Sequence, residues 1–431
     1  MKNLFLIYLA LLSFNQIQAQ ETKEVIQEWT SYSQGISIAE KSGYQFRVSV
    51  AIRMENNSKA AKSGLWVRVD KKDGKRGFFN NDIYSSVVTN QWKIFVTEGL
   101  IDDDADILNI GAFVMNSGGF YFDDFKLEVK KGKEKWQTIA IGNSGFEENI
   151  INEVQWKSGI GKKELFTVKN YNLEYSNNNP YKGKKCLHIK GSNFLGSSDS
   201  GKYVNVNGVS LYYEIYGEGE PLLLIHGNGN SMSGFMGNID ELAKHYKVVL
   251  VDCRGRGASS YNKEVELTFD LQIEDLKQFL DKLEIKKTHI VGWSDGGILA
   301  LLMAIQHPDR VDKIVSMAGN IFPDGCIDLD GMKKTRDDLV KENINHKNDL
   351  AIDLYNLDIN YPNLEYKDLS VIKSKTLIMA GDHDEIKNEH TVKMFEAIPG
   401  SQLAIVPNAT HYLPSENPKL FNEIVLRFLK Q

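Results

Sequence analysis

The stretch His289-Ile290-Val291-Gly292-Trp293-Ser294-Asp295-Gly296-Gly297-Ile298-Leu299-Ala300-Leu301-Leu302-Met303-Ala304 decides how the second half of this chain is read. A short apolar run comes first and a long Leu-, Ala- and Met-rich segment comes last, which together predict a strand, a turn and a helix. Between them lies the spacing G-x-S-x-G. A turn that abrupt needs glycine where a side chain would clash. It lifts the Ser294 hydroxyl above the sheet at a helix N-terminus, where free N–H groups and the helix dipole favour developing negative charge. Five residues of this pattern are common by chance; the strand before and the helix after give them their weight.

The same alternation extends in both directions. A hairpin is predicted over Tyr203–Tyr216 through Asn207-Gly208. Apolar runs follow at Pro221–Ile225, Val248–Val251, His289–Val291, Ile314–Met317, Thr376–Met379 and Leu403–Val406. Helical patterns separate them near Met232–His245, Phe269–Leu283, Gly296–His307, Glu389–Ala397 and Pro418–Leu429. Continuous apolar strands with helices between them mean a mostly parallel sheet covered on both faces. The fold class expected for residues 201–431 is therefore α/β, and the polar stretch Ser197–Lys202 marks its beginning.

A serine hydroxyl is a poor nucleophile at neutral pH and needs an adjacent base. Three segments at predicted strand ends carry further chemistry. Leu224-Ile225-His226-Gly227-Asn228-Gly229-Asn230 follows the first parallel strand, Gly381-Asp382-His383-Asp384 follows the seventh strand, and Asn408-Ala409-Thr410-His411 follows the last. Asp252-Cys253-Arg254-Gly255-Arg256-Gly257-Ala258-Ser259 forms a turn after a central strand. With the serine turn, these segments resemble the α/β-hydrolase family over about 230 residues, from Tyr203 onward. The resemblance implies Ser294 as nucleophile, His411 as general base and Asp384 as the acid that orients it, with Asp382 as the alternative acid. It implies an oxyanion hole from the N–H groups of Asn228 and Asp295, with His226 shaping the loop. His245, His307, His346, His383 and His390 are less well placed to serve as base. Epoxide hydrolases and dehalogenases of the same fold carry Asp at the nucleophile position, where this chain has Ser294.

Gly292-Trp293-Ser294-Asp295-Gly296-Gly297-Ile298 further resembles the valacyclovir-hydrolase-like esterases. This implies a carboxylic ester as substrate, with Trp293 and Asp295 on the substrate side of the site; an aminopeptidase-like or carbohydrate-ester activity is the alternative. A carboxylate beside the nucleophile either reads a cationic group of the substrate or turns away to cap the helix starting at Gly296. Between Gly319 and Lys375 the strand–helix pattern breaks into a short cap of about residues 320–370, with helices predicted over Met332–Asn343 and Asp349–Leu357. Ile321, Phe322, Met332, Leu354 and Tyr355 are its candidate pocket residues.

Residues 20–200 have a different period. Tyr44, Phe46, Val48, Val50 and Ile52 alternate with Gln45, Arg47, Ser49 and Ala51. Leu65 to Val69 alternates likewise before the turn Lys71-Lys72-Asp73-Gly74, and short strands follow around Trp92–Val96, Ile107–Val114 and Phe120–Val129. Many short strands with turn signals predict a β-sandwich. Gly64–Asp70, Asp73-Gly74 and Tyr121-Phe122-Asp123-Asp124-Phe125 resemble jelly-roll modules related to carbohydrate-binding domains. Asn143-Ser144-Gly145-Phe146-Glu147-Glu148 looks like the opening strand of such a module, so the segment to about Lys190 either begins a second one or completes the first. The resemblance implies a possible polysaccharide partner; Trp66, Trp92 and Tyr121 either stack on sugars or fill the core. Asp123 and Asp124 are either a structural calcium site or an ordinary solvated pair.

Composition limits the rest. Of 431 residues, 42% are hydrophobic and 25% charged, and the net charge of −6 gives no basic footprint for nucleic acid. Met1-Lys2-Asn3, the apolar Leu4–Phe14 and Gln16-Ile17-Gln18-Ala19 read as a signal peptide cut after residue 19, so a secreted or periplasmic protein is expected. The apolar run is shorter than the ~20 residues of a membrane-spanning helix, and no later segment is long and apolar enough. Three cysteines, Cys186, Cys253 and Cys326, do not make a disulfide framework. No His/Cys cluster has metal-ligand spacing, so neither a metal nor a cofactor is expected.

Overall fold

The computed structural model describes residues 23–431, apart from 27, 56–57, 59–60, 82–87, 149–154, 159–165, 193–194, 197–200, 342 and 347. The expected leader, residues 1–19, and most of the expected boundary stretch lie outside the described residues.

The first half is all-β. One antiparallel sheet runs Lys157–Ser158, Trp29–Ser37, Ala105–Met115, Lys62–Lys71, Arg76–Asn81 in spatial order. The other runs Tyr171–Ser176, Cys186–Gly191, Gly118–Lys130, Gln45–Glu55, Lys93–Leu100, with Gln137–Ile139 added against Gly118–Lys130. The period-two alternation read from the sequence sends Phe46, Val48, Val50 and Ile52 from one sheet, and Leu65, Val67 and Val69 from the other, into one shared core. Lys157–Ser158, Tyr171–Ser176 and Cys186–Gly191 join these sheets and so complete the first sandwich, without beginning a second module, while Phe166–Val168 pairs in parallel with Lys23–Val25. Asn143–Glu148 is a turn and not an opening strand: Phe146 takes a left-handed φ of 57° and is fully buried against Phe125 and Trp156.

Two further expectations for this half need correction. Trp66 is buried, but strand alternation places it on the opposite face from the Leu65–Val67–Val69 core. Tyr121 is also buried, under the Arg53 guanidinium at 3.7 Å and stacked on His188 at 4.2 Å; of the three aromatics considered for sugar stacking, only Trp92 is partly exposed. Asp123 is not solvated. It is fully buried, accepts from Lys182 N at 2.9 Å, and burial pushes its carboxyl up to about 6; only Asp124 behaves as a surface acid, paired with Lys182.

The second half is an eight-stranded sheet. Its strands are β1 (Lys202–Val206), β2 (Val209–Tyr216), β3 (Pro221–Ile225), β4 (Lys247–Val251), β5 (Thr288–Trp293), β6 (Val311–Met317), β7 (Lys375–His383) and β8 (Gln402–Thr410). The order is β1-β2-β4-β3-β5-β6-β7-β8, antiparallel at β1–β2 and β2–β4 and parallel elsewhere. The apolar runs are continuous because alternate residues serve two cores. Leu223, Ile225, Val249, Ile290 and Ile378 face a layer containing α2 (Phe269–Lys282) and α3 (Asp295–Gln306). Leu222, Leu224, Val248, Val291 and Leu377 face α1 (Met236–Leu242) and the last helix, Pro418–Leu429. Cys253 is buried in the first of these layers, as its apolar context suggests, and all three cysteines are free.

Between β6 and β7 the chain leaves the sheet and forms α4 (Leu329–Lys341) and α5 (Asp349–Asn360). α5 is three residues longer than its sequence pattern suggests and ends at Tyr361-Pro362. That added length carries Asp358, next to Leu357, which is fully buried in the main core.

Candidate functional site

The turn at Ser294 follows from backbone crowding. A Cβ on Gly292 would lie 1.9 Å from the carbonyl oxygen of Gly296, and one on Gly296 would lie 1.9 Å from that of Ile225 at the end of β3. Only glycine lets α3 start this close to the sheet. Ser294 sits between them at φ 56° and ψ −119°, a conformation few non-glycine residues adopt, and its N–H is fixed to Met317 O of β6 at 2.8 Å. α3 begins at Asp295, one residue before the expected Gly296, and Ser294 is its N-cap.

Two loops converge on the serine. His411, just past β8, accepts from Ser294 Oγ on Nε2 at 2.9 Å and donates from Nδ1 to Asp384 Oδ1 at 2.7 Å. Asp384 is buried and also accepts from the N–H groups of Ile386 at 3.1 Å and Gly381 at 3.2 Å. Three N–H groups thus converge on one carboxylate and hold it oriented. Asp382, the alternative acid, pairs with His383 at the surface and does not touch His411. Trp293 is buried, and its indole donates to the carbonyl of His411 at 2.7 Å, bracing the loop that carries His411.

The β3 loop passes directly over the serine: a Cβ on Gly227 would meet Ser294 Cβ at 2.9 Å. His226 supports this loop from beneath. Its Nδ1 donates to Gly227 O at 2.7 Å and its Nε2 accepts from Cys253 N at 3.0 Å. Burial, followed by the nearby Arg256 charge, pushes its pKa down to about 3, so the ring stays neutral. Asn228 comes next. Asp295 is the first helical residue, so its N–H is one of those that no carbonyl within α3 can reach.

The side chain of Asp295 does not cap the helix. It is buried against Arg256, with Nη2 3.8 Å from Oδ2, and shares a hydrogen bond with Asp358 of α5. Burial, then the charge of Asp295, pushes the Asp358 carboxyl well above its usual range, so Asp358 holds the shared proton and Asp295 the charge beside Arg256. The guanidinium explains how an anion is tolerated next to Ser294. Sequence reading missed both partners. Asp358 was findable in principle: it lies four residues after Leu354, on the same face of α5.

The assembled residues line a cavity of about 490 Å³. Met332, Leu354 and Tyr355 from the cap contribute apolar wall, whereas Ile321 is in the core and Phe322 packs on His390 and Tyr366. Asp295, Asp358 and Glu385 are the acids of the lining, and among the described residues no Lys or Arg lines it. The described residues hold no cluster of three or more metal-ligating side chains.

A family model described as the alpha/beta hydrolase fold matches residues 220–345, which include the Ser294 turn and the first cap helix. The chain is 28% identical over 280 residues to a 2-hydroxy-6-oxononadienedioate/2-hydroxy-6-oxononatrienedioate hydrolase of Escherichia coli O81 (strain ED1a), covering 55% of this chain and 95% of that protein. It is 27% identical, with the same coverage, to the protein of that description from Escherichia coli (strain K12). Among solved structures it is similar to an enol-lactonase from Burkholderia xenovorans LB400, at 22% identity and a TM-score of 0.46, over 53% of this chain and all of that one. Sheet order, the strand–turn–helix at Ser294 and the sequence matches agree: the C-terminal half of this chain is an α/β-hydrolase-fold domain, and its relatives in sequence are hydrolases.

Proposed function

We propose that the chain is a serine hydrolase of carboxylic esters that works through an acyl-enzyme. The observation that carries this reading is the continuous relay Asp384–His411–Ser294, with contacts of 2.7 and 2.9 Å. His411 takes the proton of Ser294 as the hydroxyl attacks the ester carbonyl, and Asp384 holds the imidazole in the required tautomer. The N–H groups of Asn228 and Asp295 receive the oxyanion. On collapse His411 returns the proton to the leaving alcohol, and water repeats the sequence on the acyl-enzyme. A panel of p-nitrophenyl acyl esters against aminoacyl p-nitroanilides tests the class. Ester cleavage well above anilide cleavage is expected; efficient anilide cleavage with negligible ester cleavage would transfer the site to a peptidase.

The E. coli relatives are named for a dicarboxylate substrate. The lining here carries the carboxylates of Asp295 and Glu385 and, among the described residues, no Lys or Arg, which disfavours such an anion and favours an ester with an ammonium near its acyl carbon. Asp295→Asn is expected to lower kcat/KM on an α-amino ester by about 10- to 100-fold more than on its des-amino analogue, the size of a charged hydrogen bond. Equal losses on both substrates would return Asp295 to a purely structural partnership with Arg256.

A further inference from the structure

The cap of this protein touches the machinery as well as the substrate space. Asn228 has a side-chain amide with two donors and one acceptor. Both contacts made by its Nδ2 go to α5: Leu354 O at 2.9 Å and Asp358 Oδ2 at 2.6 Å. Its Oδ1 accepts from Gly229 N at 2.8 Å, closing the loop on itself. Asp358 in turn shares a hydrogen bond with Asp295. One carboxyl on α5 therefore contacts the side chains of both residues proposed above as oxyanion donors.

We propose that Asp358 is a positioning residue that brackets the oxyanion hole, so that cap helix α5 sets the spacing between the Asn228 and Asp295 N–H groups. This rests on the serine-hydrolase reading above. α5 is well placed to act as a rigid support. Leu357 is fully buried beneath it, the Tyr261 hydroxyl bonds Asp353 from the loop after β4, and Arg336 of α4 reaches Asn356 at 2.8 Å. None of these anchors depends on Asp358. The bracket needs an acceptor toward Asn228 and a donor toward Asp295. A neutral carboxylic acid supplies both, and so does a carboxamide.

Those requirements fix the test. With p-nitrophenyl acetate, a substrate too small to meet the cap and without an ammonium group, Asp358→Ala should lower kcat about 10- to 100-fold, with KM within about threefold, as expected when oxyanion donors are displaced by a fraction of an ångström. Asp358→Asn should restore kcat to within about threefold of the parent, because the carboxamide reproduces both bonds. Asn228→Ala keeps its backbone N–H and should show the same kcat loss, and the double variant Asn228→Ala/Asp358→Ala should lose no more than the worse single. Asn228→Ala carries the test if Asp358→Ala does not fold. Unchanged kcat in the alanine variants, a loss confined to KM, or an Asp358→Asn enzyme as slow as Asp358→Ala would each overturn the bracket. A parent enzyme that cleaves no ester would instead count against the reading on which it rests.

Discussion

Ser294→Ala is expected to lower kcat on an ester substrate by roughly 10⁴–10⁶-fold, the range for removing a triad nucleophile, with little change in KM. A fluorophosphonate should label the parent at Ser294 and leave the variant unlabelled. The fold should survive the change. Alanine keeps the Cβ against which Gly227 packs, the serine side chain makes no capping bond to α3, and the N–H bond to Met317 O belongs to the backbone. Thermal unfolding should therefore move by only a few degrees, since no buried group loses its partner beyond the His411 contact. Activity within tenfold of the parent in folded Ser294→Ala would remove the mechanism. An unreactive Ser294 in the folded parent would leave a hydrolase fold used for binding.

What could be read from the sequence follows from how local each determinant is. The serine turn is legible because its constraints lie within a few residues: a strand, two glycines packed against backbone, and a helix. The sheet is legible because each strand serves two cores and so shows as an unbroken apolar run. His411 and Asp384 follow from their places after β8 and β7, once the fold is assumed. Helix ends are less legible. α5 runs on through Asn360, three residues past the end its own pattern suggests. Asp358 was missed for that reason, and Arg256 because its partner Asp295 is distant in sequence. In the sandwich, alternation marked five of the strands but neither the later ones nor any pairing. Cys186–Gly191 pairs with Gly118–Lys130 across some seventy residues, and nothing local says so. Trp66 shows the same limit: alternation assigns it a face, but only the fold shows that this face is covered.

Asp384→Asn should separate the two candidate acids and is expected to lower kcat about 10³–10⁴-fold with little effect on KM. Three N–H groups point at the Asp384 carboxylate, from His411 Nδ1, Ile386 and Gly381. An asparagine has one oxygen to offer them, and its amide must face at least one of these donors. Asp384 Oδ1 already accepts from both His411 and Ile386, so if the amide turns toward them His411 must accept at Nδ1. Its proton then sits on Nε2, where it cannot receive the proton of Ser294. If the amide turns the other way, it confronts the Gly381 N–H, and the buried site loses the negative charge that stabilises the imidazolium. Asp382→Asn has neither consequence. Asp382 is partly exposed, its main partner is the exposed His383 at 2.7 Å, and its contact with Ala409 N at 3.3 Å is long. A solvent-screened pair of this kind contributes little, so activity should stay within roughly fivefold of the parent. Measuring kcat for both variants on one ester gives the ranking, and the reverse order would make Asp382 the acid and Asp384 a loop anchor.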